Sequence, residues 1–377
     1  MNWMGKAAAG FSLLFLLTGC WDQAELPEKG FVMGLAIDQV AGGRYLLTTQ
    51  IFKPTQVVGG KGNEKSYINI MAEDASIAKA IRDIPGHLGR KLQWSHMRII
   101  IMGEELARKQ GLADVLDFFY RDHEPRIISP VMITQGRASD YLRLKPLIEN
   151  TISQRLYEGQ RQSEASNAKT LDMNLLLLGR QTRSEVGSGL IPYVFTSQID
   201  HMTVMNIEGA ALLKKGKMVS LLDGERMEGF QMLMNRYKSG MIRVPCERNA
   251  GGNKVETVEL LSLHSDMTPD LRRRPPVFRY KIRIPIAVSE ISCSGDITTT
   301  DKETAFTERV EQAIKHQLES TTGYLKKIKF DAMGLGNAVY RKNPRLWKQW
   351  KPEWEDIFAA SKFEFEVEVT LVSAERT

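Results

Sequence analysis

Three cysteines, six histidines and no apolar run of eighteen residues are what this 377-residue chain has little of. The missing long run excludes an ordinary membrane-spanning helix, so the body of the chain is expected to be soluble. Signatures of chemistry are equally scarce. There is no His-Glu-x-x-His zinc helix, no Gly-x-x-x-x-Gly-Lys-Ser/Thr phosphate loop and no Gly-x-Ser-x-Gly nucleophile elbow. Cys246 and Cys293 have no histidine and carboxylate pattern beside them to suggest a nucleophile or metal site, and can be read either as one disulfide or as two free thiols. Gly334-Leu335-Gly336 is too short for a dinucleotide fingerprint and suits a tight helix-associated turn. Acidic residues are plentiful, yet a glycosidase pair is defined by separation in space, which abundance does not supply. No catalytic residue, metal ligand or cofactor is therefore named, and the residues alone leave an enzyme open without identifying one.

What is present describes a folded protein. With 42% apolar and 25% charged residues the composition is that of a globular chain, long enough for two or three domains. The net charge of +6 is compatible with an anionic membrane surface or an acidic partner and demonstrates neither. At the amino terminus Lys6 precedes an apolar run of eleven residues, Ala7 to Leu17, too short to span a bilayer and suited to an export signal. Leu17-Thr18-Gly19-Cys20 follows and resembles the lipobox of bacterial lipoproteins. The small residues fit a signal peptidase, and the Cys20 thiol has the nucleophilicity to take up diacylglycerol. Two acyl chains hold a protein stably where one is marginal.

Along the mature chain, strands are expected at 31–38 and 44–52, a loop at 55–65, a short strand at 66–71 and a helix at 73–84 ended by Pro85-Gly86. His96 to Gly103 reads as a buried strand, with His96 bonding locally at its start, and helices follow at 104–110 and 112–120. A strand is expected at 125–134. The stretch 138–183 is mostly helical in pattern, interrupted at Pro146. Around Lys214-Lys215-Gly216 lies a hairpin, then a helix at 225–235 and strands at 241–245 and 254–263. Thr268 to Pro276, with three adjacent arginines and Pro-Pro, reads as a wetted boundary segment. Beyond it come a strand at 277–288 and a long helix in which Thr300 and Glu303 have capping-box spacing and Phe306, Val310, Ile314 and Leu318 form a stripe. A terminal strand at 362–371 alternates apolar residues with Glu364, Glu366 and Glu368, a solvated face in preference to a cation site.

Between that helix and that strand, residues 326–351 hold eight basic residues against one acid, interleaved with aromatics. Either Leu335, Val339, Tyr340, Leu346 and Trp347 pack inward under a coat of lysines, or Lys326, Lys327, Lys329, Arg341, Lys342 and Arg345 form a docking surface for anionic lipid or an acidic protein face. No nucleic-acid motif accompanies these cations, and no nucleic-acid partner is expected.

Several ordered motifs resemble the spore germination receptor C-subunit lipoprotein family, the Ger(x)C family. Gly19-Cys20-Trp21-Asp22-Gln23-Ala24-Glu25-Leu26 is similar to its Gly-Cys-Trp-Asp-x-x-Glu-Leu start, and Gly34-Leu35-Ala36-Ile37-Asp38 to its glycine-rich strand, with Ala36 in place of the usual second glycine. Trp94-Ser95-His96-Met97-Arg98 and the apolar residues after it, Gly209 to Glu225, and Asp331-Ala332-Met333-Gly334-Leu335-Gly336 with Tyr340-Arg341-Lys342 and Pro344-x-x-Trp347 continue the resemblance over nearly all of the mature chain. The motif residues Trp21, Asp22, Glu25, Leu26, Asp38, Ser95, His96, Glu225, Asp331, Gly334 and Gly336 are read as structural.

The resemblance implies an α+β protein of three dissimilar mixed α/β domains, each with a sheet and packed helices, after a signal peptide at 1–19. Boundaries are expected at 20–198, 199–267 and 268–377. It further implies a lipid anchor at Cys20 on the outer face of the spore inner membrane, receptor A and B membrane subunits as partners alongside the phospholipid bilayer, and an accessory or scaffold role in nutrient sensing. Two alternatives stand beside it: a solute-binding lipoprotein of a transporter, which requires two similar lobes around a cleft, and a surface hydrolase, which requires a compact catalytic constellation.

Overall fold

The computed structural model describes residues 29–53, 66–122, 124–246, 254–295, 297 and 299–372. The lipobox, the 21–26 motif and the loop expected at 55–65 lie outside the described residues.

Nine strands make the first sheet: β1 (Lys29–Gln39), β2 (Tyr45–Phe52), β3 (Tyr67–Asp74), β4 (Lys91–Gln93), β5 (Ile99–Gly103), β6 (Val131–Thr134), β7 (Ser188–Ile199), β8 (Met202–Lys214) and β9 (Lys217–Leu222). Their order is β3-β2-β1-β5-β6-β7-β8-β9, with β4 pairing the start of β1. The centre is parallel, from β1 through β5 and β6 to β7, and both flanks are antiparallel hairpins. A parallel strand covered on both faces needs no alternation, and Ile99-Ile100-Ile101-Met102 is accordingly buried throughout. Helices α1 (Ile77–Leu88), α2 (Glu104–Lys109), α3 (Ala113–Arg121), α4 (Ala138–Tyr141), α5 (Ile152–Asn167) and α6 (Leu175–Thr182) belong to this unit. Ile84, Leu106, Leu116 and Leu178 share one cluster with Leu35, Ile37 and Ile100; Tyr141, Ile152 and Leu156 share a second with Ala36, Ile99 and Ile101. The sheet is therefore covered on both sides.

Several expectations are corrected here. Helix α1 runs through Pro85 and ends only at Gly89, whose left-handed backbone (φ 71°) lets its N–H close on the Pro85 carbonyl. A proline deletes one helical donor, whereas a residue at positive φ turns the chain away altogether. Strand β5 starts at Ile99, because Trp94–His96 form a 3-10 turn anchored by buried Trp94. The strand expected over 125–134 is reduced to β6.

The second unit contains α7 (Gly224–Leu233), β10 (Gly240–Pro245), β11 (Val255–Leu260), β12 (His264–Asp270), β13 (Val277–Glu290), α8 (Thr300–Lys327), α9 (Leu335–Lys342), α10 (Pro344–Trp350), α11 (Trp354–Ala360) and β14 (Lys362–Leu371). Its five-stranded sheet has the order β10-β11-β13-β12, with β14 added parallel to β13. Helix α8 buries Phe306, Val310, Ile314 and Leu318, the stripe its spacing predicts. The capping box is not formed: Thr299 occupies the cap without a side-chain hydrogen bond, and the Glu303 N–H meets the Thr299 carbonyl.

Among the described residues the middle segment 199–267 has no sheet of its own. Strands β8 and β9 extend the first sheet, with β7 and β8 paired across the boundary expected at 198, while β10, β11 and β12 belong to the second. Nor is 268–276 a linker, since Thr268, Pro269 and Asp270 pair with β13. Pro269 is tolerated there because β12 is an edge strand, where a missing donor breaks no ladder. One continuous apolar cluster contains Leu35 and Ile37 of the first sheet together with Phe278 and Phe306 of the second unit. Cys246, just after β10, is bonded to Cys293, just after β13, with a Cα–Cα distance of 6.1 Å.

Candidate functional site

Two buried carboxylates explain much of the motif pattern. Asp38 ends the buried part of β1, and its oxygens accept the N–H groups of Ala138 (2.7 Å) and Ser139 (2.9 Å) at the start of α4. Gly103 must lack a side chain there, because a β carbon would stand 2.3 Å from Asp38 Oδ1. Asp38 is thus occupied in holding the first sheet to its covering layer.

Asp331 does the same for the second unit. Its carboxylate accepts Leu335 N–H (2.9 Å), Gly336 N–H (2.8 Å) and Trp354 Nε1–H (3.1 Å). Burial raises its pKa, and these donors oppose the rise. Gly334 enters α9 at φ 68°, and Gly336 leaves room for Trp347 and Val186, which a β carbon would meet at 2.6 and 2.7 Å. Around this knot the two units are stitched together. Glu185 accepts from Trp347 Nε1 (2.8 Å) and Lys351 Nζ (2.7 Å), Asn337 Oδ1 accepts the Val186 N–H, and Lys214 pairs with Glu355 (2.6 Å). A cavity of about 170 Å³ remains beside them, lined in part by Lys214, Lys329, Asp331 and Trp354.

The six cations singled out in the sequence fall into two groups. Lys326 and Lys327 end α8 and Lys329 follows its cap; Lys326 lies 6.0 Å from the Phe363 ring centre, and Lys329 pairs with Asp356 at 2.6 Å. Arg341, Lys342 and Arg345 are exposed on α9 and α10, and Lys342 donates to the Pro269 carbonyl at 3.1 Å. Beneath them Leu335, Val339 and Trp347 are buried, whereas Tyr340 is exposed. Glu225 sits in the first turn of α7, where its charge suits the helix dipole and its carbonyl accepts from Gln317 (3.1 Å). The glutamates of β14 face matching cations on β13: Glu364 pairs with Arg279 at 2.6 Å, and Lys281 reaches Glu366 at 2.9 Å and Glu368 at 2.6 Å. This ladder uses the acids as cross-strand pairs.

Ser95 and His96 lie at the opening edge of the first sheet. Ser95 Oγ accepts from Gln93 Nε2 (2.8 Å), and the exposed His96 ring meets Phe31 edge-on at 5.4 Å. His96, Arg98, Phe31, Met33, Phe52 and Ile148 contribute to a pocket of about 400 Å³. Sequence reading missed this pocket, although Pro146 before Leu147-Ile148 marks the bend that closes it. It also missed Glu256, whose side chain is fully buried at 0% exposure and accepts from the Cys293 and Ser294 backbone, Ser294 Oγ and Arg309. Burial works against that charge, yet the hydrogen bonds win and hold its pKa below the usual range. Among the described residues no group of three or more His, Cys, Asp or Glu side chains is arranged to hold a metal ion, and no helix is long and apolar enough to cross a membrane.

A mixed nine-stranded sheet joined through an aspartate-capped knot to a five-stranded one defines a class of two-sheet α+β proteins in which Asp38 and Asp331 accept backbone N–H groups. Residues 22–196 match the family described as spore germination protein N-terminal domain, and residues 208–374 the one described as spore germination B3/GerAC like, C-terminal. The chain belongs to the Ger(x)C family of spore germination proteins. It is 22% identical to spore germination protein KC of Bacillus subtilis, over 91% of this chain and 88% of that one. It is likewise 22% identical to spore germination protein B3 of the same organism, over 98% of each. The crystal structure of the GerBC protein shares the fold, with a TM-score of 0.55 at 21% identity, covering 93% of this chain and all of that one.

Proposed function

We infer that this chain is the C subunit of a nutrient germinant receptor, a non-enzymatic scaffold tethered by acyl chains on Cys20 to the outer face of the spore inner membrane, where it joins the receptor's A and B membrane subunits. The observation that carries this reading is the match of both family domains across the chain. The geometry is consistent with it. Asp38, Glu256 and Asp331 are consumed in capping and pairing, which suits a body that supports an assembly by shape. The two sheets differ in strand number and order, unlike the similar lobes of a solute-binding protein. Exposed Arg341 and Arg345, with neighbouring Lys348, offer a basic face to an acidic surface of a partner.

Tethering raises the local concentration of the body beside its partners without any new contact. In Cys20→Ser spores the chain is expected to leave the inner-membrane fraction while the purified variant keeps the parent's circular dichroism. Crosslinking of the parent protein in spore inner membranes is expected to recover A and B subunits. Retention of the variant in the membrane, or recovery of transporter components alone, would overturn the reading.

A further inference from the structure

The end of the first sheet where β1 begins has an unusual surface. By register Lys29 stands opposite Lys91, and Phe31 opposite Phe52, so Lys53, Lys29 and Lys91 mark the ends of three neighbouring strands. Lys53, Lys91 and Arg98 are exposed. Beside them the bend after Pro146 presents Leu147 at 62% and Ile148 at 92% exposure, the latter the most exposed large apolar side chain among the described residues. The bend is held in place: Tyr67 donates to the Leu144 carbonyl (3.1 Å), Ser66 to the Asn150 carbonyl, and Gln50 accepts from Ser153 N–H (3.0 Å) and Oγ (2.8 Å). Ile127 and Ile128, 47% and 57% exposed, precede β6 at the same end of the parallel strands. Glu149 is the one acid lining the pocket, beside His96 and Arg98.

Sequence length narrows what can cover this surface. Cys20 is nine peptide steps from Lys29, a reach of about 30 Å at full extension. The far end of β1 lies roughly 35 Å further along the strand. An anchor on Cys20 therefore keeps this end near the bilayer and leaves the other free to stand away. Apolar side chains flanked by cations suit a surface that seats in the headgroup layer of an anionic membrane. A small ligand in the pocket would leave Leu147, which lies outside its lining, in water.

We propose that this end of the first sheet seats on the anionic bilayer, with Leu147 and Ile148 in the interfacial layer and Lys29, Lys53, Lys91 and Arg98 over the lipid phosphates. The proposal rests on acylation of Cys20. Its test uses the acylated full chain on vesicles of phosphatidylglycerol and phosphatidylcholine in equal parts, brominated in the upper part of the acyl chains. Tryptophan emission is compared between the parent, I148W and M241W; Met241, on the second sheet, is 59% exposed. Both sites are open, so neither substitution disturbs the core. The emission added by I148W is expected to be quenched by the brominated lipid, and that added by M241W to be unaffected. A chain that floats with the vesicles without quenching of I148W, or with equal quenching at both positions, overturns this orientation and leaves the anchor standing. A chain that stays off the vesicles and lacks the acyl mass at Cys20 overturns both.

Discussion

At the scale of single residues, this molecule spends its buried acids on backbone donors and neighbouring cations. Asp270 illustrates what that does to stability. Its side chain is 5% exposed and accepts from the Arg272 guanidinium (3.1 Å) and backbone N–H (3.2 Å), with Arg279 beyond at 3.4 Å. Arg272 above all holds the Asp270 pKa down to about 2, below the ordinary carboxylate value of about 3.9. The unfolded chain therefore takes up this proton first as the pH falls. The contribution of Asp270 is complete above pH ~4 and is lost as acid passes through ~2. Urea midpoints of the parent and Asp270→Asn are expected to differ most at neutral pH and to converge towards pH ~2; a gap that ignores pH would remove the charge from the explanation. Residue roles were only half legible in the sequence. Asp331, Gly334 and Gly336 stand out as a motif, but Glu185 and Val186, which complete the knot, lie about a hundred and fifty positions earlier in an unremarkable polar stretch. Nothing in a linear pattern marks which acid a distant tryptophan will choose.

At the scale of elements, periodicity was a good guide wherever one face is buried and the other wet. Helix α8 and strand β14 lie where their stripes place them, because a single apolar face admits one period. It failed where a rule about one residue met a competing tertiary contact. Pro85 does not stop α1, Pro269 does not exclude a strand, and Thr300 with Glu303 does not make a capping box. The Cys246–Cys293 bond was undecidable from sequence for a different reason: it needs proximity, and the two cysteines are 47 positions apart. In the fold they terminate β10 and β13, on either side of β11. Closing such a loop in the unfolded chain is worth about 4 kcal/mol in the chain-entropy account. Reduction, or C246S with C293S, is expected to lower the unfolding free energy in urea by roughly 2–4 kcal/mol. Loss of less than ~0.5 kcal/mol would mean the bond adds nothing to the closed sheet.

For the whole molecule, the class was readable and the partition was not. An α+β reading follows from alternating strand and helix patterns, yet three domains were expected where the strands assemble into two sheets over one continuous apolar cluster. Sequence shows where the chain turns; it does not show which earlier strand a later one joins. The shared cluster and the Asp331 knot lead to a prediction: calorimetry of the full chain is expected to give one cooperative transition. Two resolved transitions would mean that the sheets unfold separately and that Glu185, Lys214 and their partners are a loose contact.

Strand β1 lies inside its sheet, bonded to β2 on one side and to β4 and β5 on the other, and it begins at Lys29. Tension applied at Lys29 runs along the strand axis and loads the ladders on both sides in shear, so many hydrogen bonds resist together. A terminal strand on a free edge would peel open one bond at a time. The geometry makes the first strand a mechanical clamp: a pull on Lys29 meets both ladders at once, and the fold holds until many bonds yield together.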